Sequence, residues 1–511
     1  MTASFLFKAF AEHNQKNEKL IPKALIFDVL EKSGIRKDDK RLASFFNTLK
    51  TLPVNLSEDD FEKLQGLSPA LLEQILTGQL TIPRFDEFCH DLSGLYEIVK
   101  ENRSGKLADY IPQLAKVDPE KFAVSICSVD GQRFDLGDFD DFFCVQSCSK
   151  PITYCLALEA IGEAVHKYVG AEPSGKTFNE LTLNAKGQPH NPMINAGAIM
   201  CGALISTVHK DASNRFDYVM KMWKECAGPE RIGFDNAVYL SEKQTADRNY
   251  ALAYFMREKK SFPKGIDLVD ILEFYFQCCS IELNTKAMAV VAATLANGGV
   301  CPLTGEQVFR SDHVKNCLSL MSSCGMYDFS GEFAFKVGIP AKSGVSGGIM
   351  LVVPNVIGMA IWSPRLDELG NSVRGVELCT KLTERFKFHT FDSTLGLKDD
   401  RKDPRRGAYE SRLAGTMALC LAASEGDLTE LRRLVGRGLD ANACDYDGRT
   451  PLHLACAGGH MQTLRFLISI GVDPNRADRF GNKPIDDARR SGKDEIISIL
   501  QDYINAGARN I

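Results

Sequence analysis

The chain has 511 residues and a formal net charge of −5, from 61 basic and 66 acidic residues. That near-balance excludes a broad polyanion-binding surface, so no nucleic-acid partner is expected. Hydrophobic residues make up 44% and charged residues 25%, as in a globular protein, and the 16 cysteines, with no C-x-x-C, read as buried reduced thiols of an intracellular protein.

From the N-terminus, MTASFLFKAFAEHNQKNEKL has no long apolar run, no cleavage signal and early acids at Glu12 and Glu18, so no secretory or transit segment is expected. Residues 1–105 form the first predicted domain. SFLFKAFAEH, PKALIFDVLEKSG, KRLASFFNTLK and PALLEQILTG carry apolar residues at helical spacing. The arrangement resembles an EF-hand pair without the D-x-[DN]-x-[DN]-G loop, so calcium is not expected and no metal site is assigned. Residues 106–391 form the second domain. FAVSICSVDGQRF alternates around Asp130-Gly131 and predicts a hairpin. A helical stretch from about Cys148 to Val169 follows, then a helix-rich middle to about Phe335. The segment from Ala341 to Ser363 is again strand-like; GGIMLVVPNVIGMAIWSP, broken at Pro354-Asn355, reads as two strands and a turn, not a membrane span. Strands at both ends predict an α+β fold whose first and last strands share one antiparallel sheet covered by helices. The charged stretch 392–412 reads as a linker. From 413 to 511 a repeat appears: LAASEGDLTELRRLVGRGLDAN at Leu421 and LACAGGHMQTLRFLISIGVDPN at Leu454 are offset by 33 residues, with TPLHLA at Thr450. That period and motif predict ankyrin repeats, about three units, which bind another protein, whose identity the sequence does not give, or pack on their own chain.

Two motifs compete for chemistry. GAEPSGKT satisfies the phosphate-loop pattern at Gly170, Gly175, Lys176 and Thr177. Such a loop needs a strand before it and a helix after it to wrap phosphates. Here PITYCLALEAIGEAVHKYV precedes it, a helical pattern, so the stretch reads as a plain loop. The second motif, QSCSKP, fits S-x-x-K with Ser147 and Lys150. At a helix start, Ser147 and Lys150 share one face at i, i+3, and the helix N-terminus offers partial positive charge to an oxyanion. A desolvated lysine there could accept the serine proton. The plain alternative is a capping serine beside a solvated lysine. KSGVSGG from Lys342 is similar to the K-T-G strand element of penicillin-recognising enzymes, and CGMYDFSG places Tyr327 in a loop that could reach the same site.

The ordered series ADYIPQLA, DGQRF, QSCSKP, EPSG, PHNPMINAGAI, DRN, FYFQ, AATLANGG, CGMYDFSG, PAKSGVSGGI and NSVRG resembles the glutaminases, most of all the animal kidney-type, phosphate-activated group with its helical N-terminal domain and C-terminal ankyrin repeats. The resemblance implies a serine β-lactamase-like catalytic fold and hydrolysis of L-glutamine to L-glutamate and ammonia. It assigns Ser147 as nucleophile, Lys150 as general base and Tyr327 as proton carrier. The N–H groups of Ser147 and Val345 would form the oxyanion hole. It also carries Glu242 over as the ammonium contact, Asn249 and Asn195 as carboxylate contacts, and Tyr110 and Tyr275 as donors to substrate. No cofactor is implied; inorganic phosphate is implied as an activator of a homo-oligomer (dimer, tetramer or filament), with the loop KTFNELTL linking site and assembly. The family implies mitochondria, while the lack of a visible transit peptide leaves the cytoplasm open. The competing readings are a penicillin-type serine acylase, against which stand the missing S-D-N element and the presence of Glu242 and Asn249, an ankyrin scaffold with a degenerate enzyme domain, and a thiol amidotransferase using Cys148.

Overall fold

The structure is a computed structural model of the chain. It describes residues 7, 8, 10, 20–64, 67, 69–76, 78–175, 180–394, 401–405, 408–436 and 439–507. Most of the first predicted helix, SFLFKAFAEH, and Lys176, Thr177 and the start of KTFNELTL lie outside the described residues. The chain divides into two units, 1–389 and 390–511.

In the first unit, the predicted hairpin forms β1 (Ala123–Ser128) and β2 (Arg133–Gly137), paired antiparallel with Cys127 opposite Arg133. The late strands are β3 (Ala341–Ser343), β4 (Gly348–Val353) and β5 (Ile357–Trp362). Their order in the sheet is β2-β1-β5-β4-β3, all antiparallel, so the first and last long strands lie side by side as expected. Asn355 makes the β4–β5 turn at φ 60°, a conformation that asparagine tolerates better than most residues.

Alternation along β1 does not separate core from solvent, because both faces are buried. Val124 and Ile126 face one apolar cluster, while Ala123 and Cys127 face another. Ser125, on the second face, settles its hydroxyl 2.8 Å from Thr285 Oγ1, which removes the cost of burying it.

The covering helices are α1 (Lys150–Ile161), α2 (Asn195–Val208), α3 (Asn236–Gln244), α4 (Leu268–Cys279), α5 (Thr285–Ala296) and α6 (Ser311–Cys324). α5 is capped by Asn284, whose Oδ1 accepts from Ala287 N at 3.0 Å. It lies so close to β5 that a methyl added at Gly358 would stand 2.0 Å from Ala293 N. The opposite face is covered by the helices Phe85–Lys100 and Val373–Arg385.

The helical reading of 148–169 needs correction. α1 ends at Ile161, where Gly162 takes φ 60°, and a 3-10 segment Gly162–Lys167 follows. A second small sheet, joining Phe143–Cys144, Ile281–Leu283 and Gly233–Phe234, was not expected; strands of two or three residues have no legible period.

The N-terminal region contains helices Lys23–Lys32, Ala43–Thr51 and Pro69–Leu76, with a short strand pair Ile21–Pro22 and Asn55–Leu56 between them. In the second unit, helices Leu428–Gly436, Pro451–Gly458, Met461–Ser469, Pro484–Arg490 and Asp494–Gly507 follow a helix Ala408–Glu425 that starts inside the stretch read as linker. The TPLH motif has a physical role there. Thr450 N–H donates to His453 Nδ1 at 3.1 Å, so His453 Nε2–H donates to Asn482 O at 3.2 Å and ties one repeat to the next. Among the described residues, no helix is long and apolar enough to cross a membrane.

Candidate active site

Ser147 sits in a 3-10 turn, Gln146–Ser149, that runs directly into α1. Pro151 is accommodated because first-turn N–H groups have no partner within the helix. Lys150, on the first turn of α1, is 2% exposed, and its Nζ lies 2.6 Å from Ser147 Oγ. Burial pushes the Lys150 ammonium below the usual lysine range, against smaller opposing effects of Cys279, Cys148 and Glu242. The capping-serine and solvated-lysine alternative therefore does not hold.

Tyr327 follows α6 and is held at φ 53°; Gln146, immediately before the serine, is held at φ 48°. These are two of four non-glycine residues with positive φ among the described residues, and backbone strain of this kind gathers at functional sites. Burial pushes the Tyr327 phenol above its usual range, while its hydrogen bond with Ser147 acts the other way. Lys342 on β3 is fully buried. It donates to Gly325 O at 3.1 Å and Ser343 O at 2.7 Å, and its Nζ lies 4.5 Å from the Tyr327 ring centroid. Burial, reinforced by the charge of Lys150, lowers Lys342 to about 7.

The turn after β3 carries Gly344 and Val345, and Val345 packs against the cluster of Ile111, Leu114, Cys144 and Val238. A methyl at Gly344 would stand 2.9 Å from Val145 O and 3.5 Å from Cys148 N, so this turn presses directly on the Ser147 turn. Cys148 points elsewhere: its Sγ lies 3.2 Å from Lys342 O and 3.5 Å from Gly348 O. Burial raises its thiol to about 11. Its contacts clasp the serine turn to the sheet, and a buried thiol raised in this way is a weaker nucleophile than a thiolate, which favours Ser147 over the thiol alternative.

Five further residues complete the group. Glu242 on α3 is buried, and its Oε1 accepts from Tyr110 Oη at 2.6 Å and from Gln146 Nε2 at 3.0 Å. Burial raises the Glu242 carboxyl above its usual range; the two donors and Lys150 pull it back. Tyr110 is exposed as a residue, yet its hydroxyl donates to Glu242. On the other side, Tyr275 of α4 donates to Asn195 Oδ1 at 3.1 Å, and Asn195 Nδ2 donates to Asn249 Oδ1 at 3.1 Å. The Tyr275 ring centroid is 5.7 Å from Lys150 Nζ, and the charge of Lys150 also acts through space on Glu242.

The structure thus joins Ser147, Lys150 and Tyr327, links Tyr110 to Glu242, and links Tyr275 to Asn195 and Asn249. Gln146 is the residue that sequence reasoning missed. Its one available signal was its place directly before the serine. The phosphate-loop pattern has the wrong setting: helix α1 and a 3-10 segment precede it, and Gly170 N–H is spent on Pro189 O at 2.9 Å.

A family model described as Glutaminase matches residues 105–391, with Ankyrin repeats (3 copies) at 419–510 and EF-hand domain at 2–83. The chain is 45% identical over 455 residues to the mouse "Glutaminase liver isoform, mitochondrial", spanning 88% of this chain and 75% of that protein. A solved structure titled "Mglu in its glutamate form" superposes with TM-score 0.56 at 38% identity, covering 60% of this chain and 69% of that one. The probable glutaminase from Bacillus subtilis complexed with 6-diazo-5-oxo-L-norleucine gives TM-score 0.54 at 33% identity, covering 59% and 96%. The α+β domain around Ser147 is the serine β-lactamase-like catalytic fold of these relatives, and the chain belongs to the glutaminase family of amidohydrolases.

Proposed function

We propose that the chain hydrolyses L-glutamine to L-glutamate and ammonia through an acyl-enzyme on Ser147. The observation that carries this reading is the 2.6 Å contact between a serine oxygen and a buried lysine. A lysine depressed by burial is neutral over more of the pH range and can take the serine proton. Ser147 Oγ then attacks the side-chain amide carbon. The oxyanion receives the N–H groups of Ser147 and Val345. Lys150 returns the proton through the Tyr327 hydroxyl to the departing nitrogen, the C–N bond breaks and ammonia leaves. Water adds to the ester and restores the serine, so one water is consumed for each glutamate formed.

Substrate recognition follows the charges of a free amino acid, which an enclosed site must pair. Glu242 supplies the anion for the α-ammonium; Asn195 and Asn249 supply donors for the α-carboxylate, and the phenols of Tyr110 and Tyr275 donate to the substrate. A structure of one relative is named for its glutamate form, which fits a site shaped for this product.

We further place the protein in mitochondria, after the mitochondrial isoform it resembles, and assign the ankyrin repeats to an unidentified protein partner. No cofactor is invoked. By family resemblance, inorganic phosphate promotes assembly of a homo-oligomer and raises its rate. Incubation with L-glutamine should yield equimolar glutamate and ammonia, and titrating phosphate should raise rate and particle mass together. No product from glutamine would end the functional reading; unchanged mass and rate would end the phosphate reading alone.

A further inference from the structure

A cavity of about 820 Å³ lies between the N-terminal helical domain and the edge strand β2. Small-ligand pockets have roughly this size and concentrate at such domain seams. Its walls are fixed by cross-domain bonds: Arg133 N–H to Gly34 O at 2.8 Å, and Gln132 Nε2 to Ser33 O at 3.0 Å. Packing is close at one corner, where a methyl at Gly34 would stand 2.3 Å from the Phe85 ring.

Four rings line the cavity: Phe27, Phe46, Phe85 and Phe134. Phe27 and Phe46 stack with centroids 6.1 Å apart and planes 6° from parallel. The lining holds four basic residues, Lys32, Arg36, Lys37 and Arg133, and three acidic ones, Glu31, Asp38 and Asp86, so its field depends on which of them are already paired. Its cations are already engaged: Lys32 with Asp28 at 2.9 Å, Arg36 with Asp135 at 2.5 Å, and Arg133 with Asp38 and Glu230. Lys37 lays its ammonium over the Phe27 ring, 4.4 Å from the centroid. By contrast Glu31 and Asp86, which also line the cavity, belong to no ion pair among the described residues; Asp86 exerts a through-space pull on Lys32. Carboxylates with charge to spare, above aromatic faces that are themselves electron-rich, make a field that favours a cation. The position of Lys37 shows that this fold already seats an ammonium on one of those faces.

We propose that the cavity is a binding site for an organic ammonium ion with an apolar body, its charge held at the rim by Glu31 and Asp86 and its body seated among the four phenylalanines. Such a ligand touches both domains and clamps their seam. Lys37 is its intramolecular competitor.

Calorimetric titration of the full chain with 2-phenylethylammonium tests this, with 3-phenylpropionate and ammonium chloride as probes of the body and the charge alone. The expected result is saturable binding of 2-phenylethylammonium and binding at least ~10-fold weaker for either control. Glu31→Gln with Asp86→Asn, both exposed positions, should weaken it by about tenfold or more, and Lys37→Met should tighten it several-fold. The substrate site also carries a carboxylate, so Glu242→Gln is the essential control and should leave binding unchanged. Absence of saturable binding at millimolar concentration, equal binding of 3-phenylpropionate, indifference to the rim double variant, or loss in Glu242→Gln would each overturn the proposal.

Discussion

Ser147→Ala and Lys150→Ala each lower glutamine turnover by at least ~10³-fold, and the double variant loses little more. The expectation follows from the contact between the two groups. Removing Ser147 Oγ removes the atom that forms the ester. Removing Lys150 leaves a neutral hydroxyl with no base, because the next lysine, Lys342, is committed to Gly325 O and Ser343 O. Two groups that act as one unit give non-additive losses. Cys148→Ala, in contrast, retains turnover on the Ser147 mechanism, since its sulfur is turned into the β3–β4 backbone. The pH profile carries the same signature. On the proposed mechanism Lys150 works as a neutral base, and burial depresses its folded pKa. The rate therefore falls as pH drops through that lowered value, and an ordinary lysine's acid limb would lie at higher pH. Steady-state ammonia release across pH checks all four variants; near-normal rates in Ser147→Ala would refute the assignment.

Glu242→Gln lowers kcat/KM by about 30- to 1,000-fold, mostly through KM. The estimate corresponds to roughly 2–4 kcal/mol, the usual loss on removing one member of a buried charge pair. The substitution conserves volume and leaves an amide oxygen for Tyr110 and Gln146, so folding is preserved while the charge is removed. Because burial raises the Glu242 pKa, its ionised form is lost at a higher pH than for an ordinary carboxylate. Wild-type KM therefore rises on acidification through that raised value, and Glu242→Gln lacks this rise. A KM in Glu242→Gln equal to wild type at neutral pH would remove the ammonium role.

Local physics made much of the fold legible. Asp130-Gly131 between alternating segments marks β1 and β2, and Pro354-Asn355 marks the turn between β4 and β5. The 33-residue offset marks the repeats. The Ser147–Lys150 pair was legible because both residues lie within one helical turn. The substrate-side residues were not legible from spacing. Tyr110 and Glu242 meet across 132 positions and Tyr275 and Asn195 across 80; only family resemblance brought them forward. Gln146 escaped altogether, since a positive φ on a non-glycine residue leaves no compositional trace. The linker reading overshot at its end because charge density does not forbid a helix: the segment from Ala408 is helical despite its polar start.

The most direct test of the account is to acid-quench the protein during turnover of L-glutamine, digest it, and locate the glutamyl group by mass spectrometry. The account predicts a glutamyl ester on Ser147 that forms in wild type, accumulates when deacylation is slowed, and is absent from Ser147→Ala. A glutamyl thioester on Cys148, or undiminished turnover with Ser147 never acylated, would contradict it.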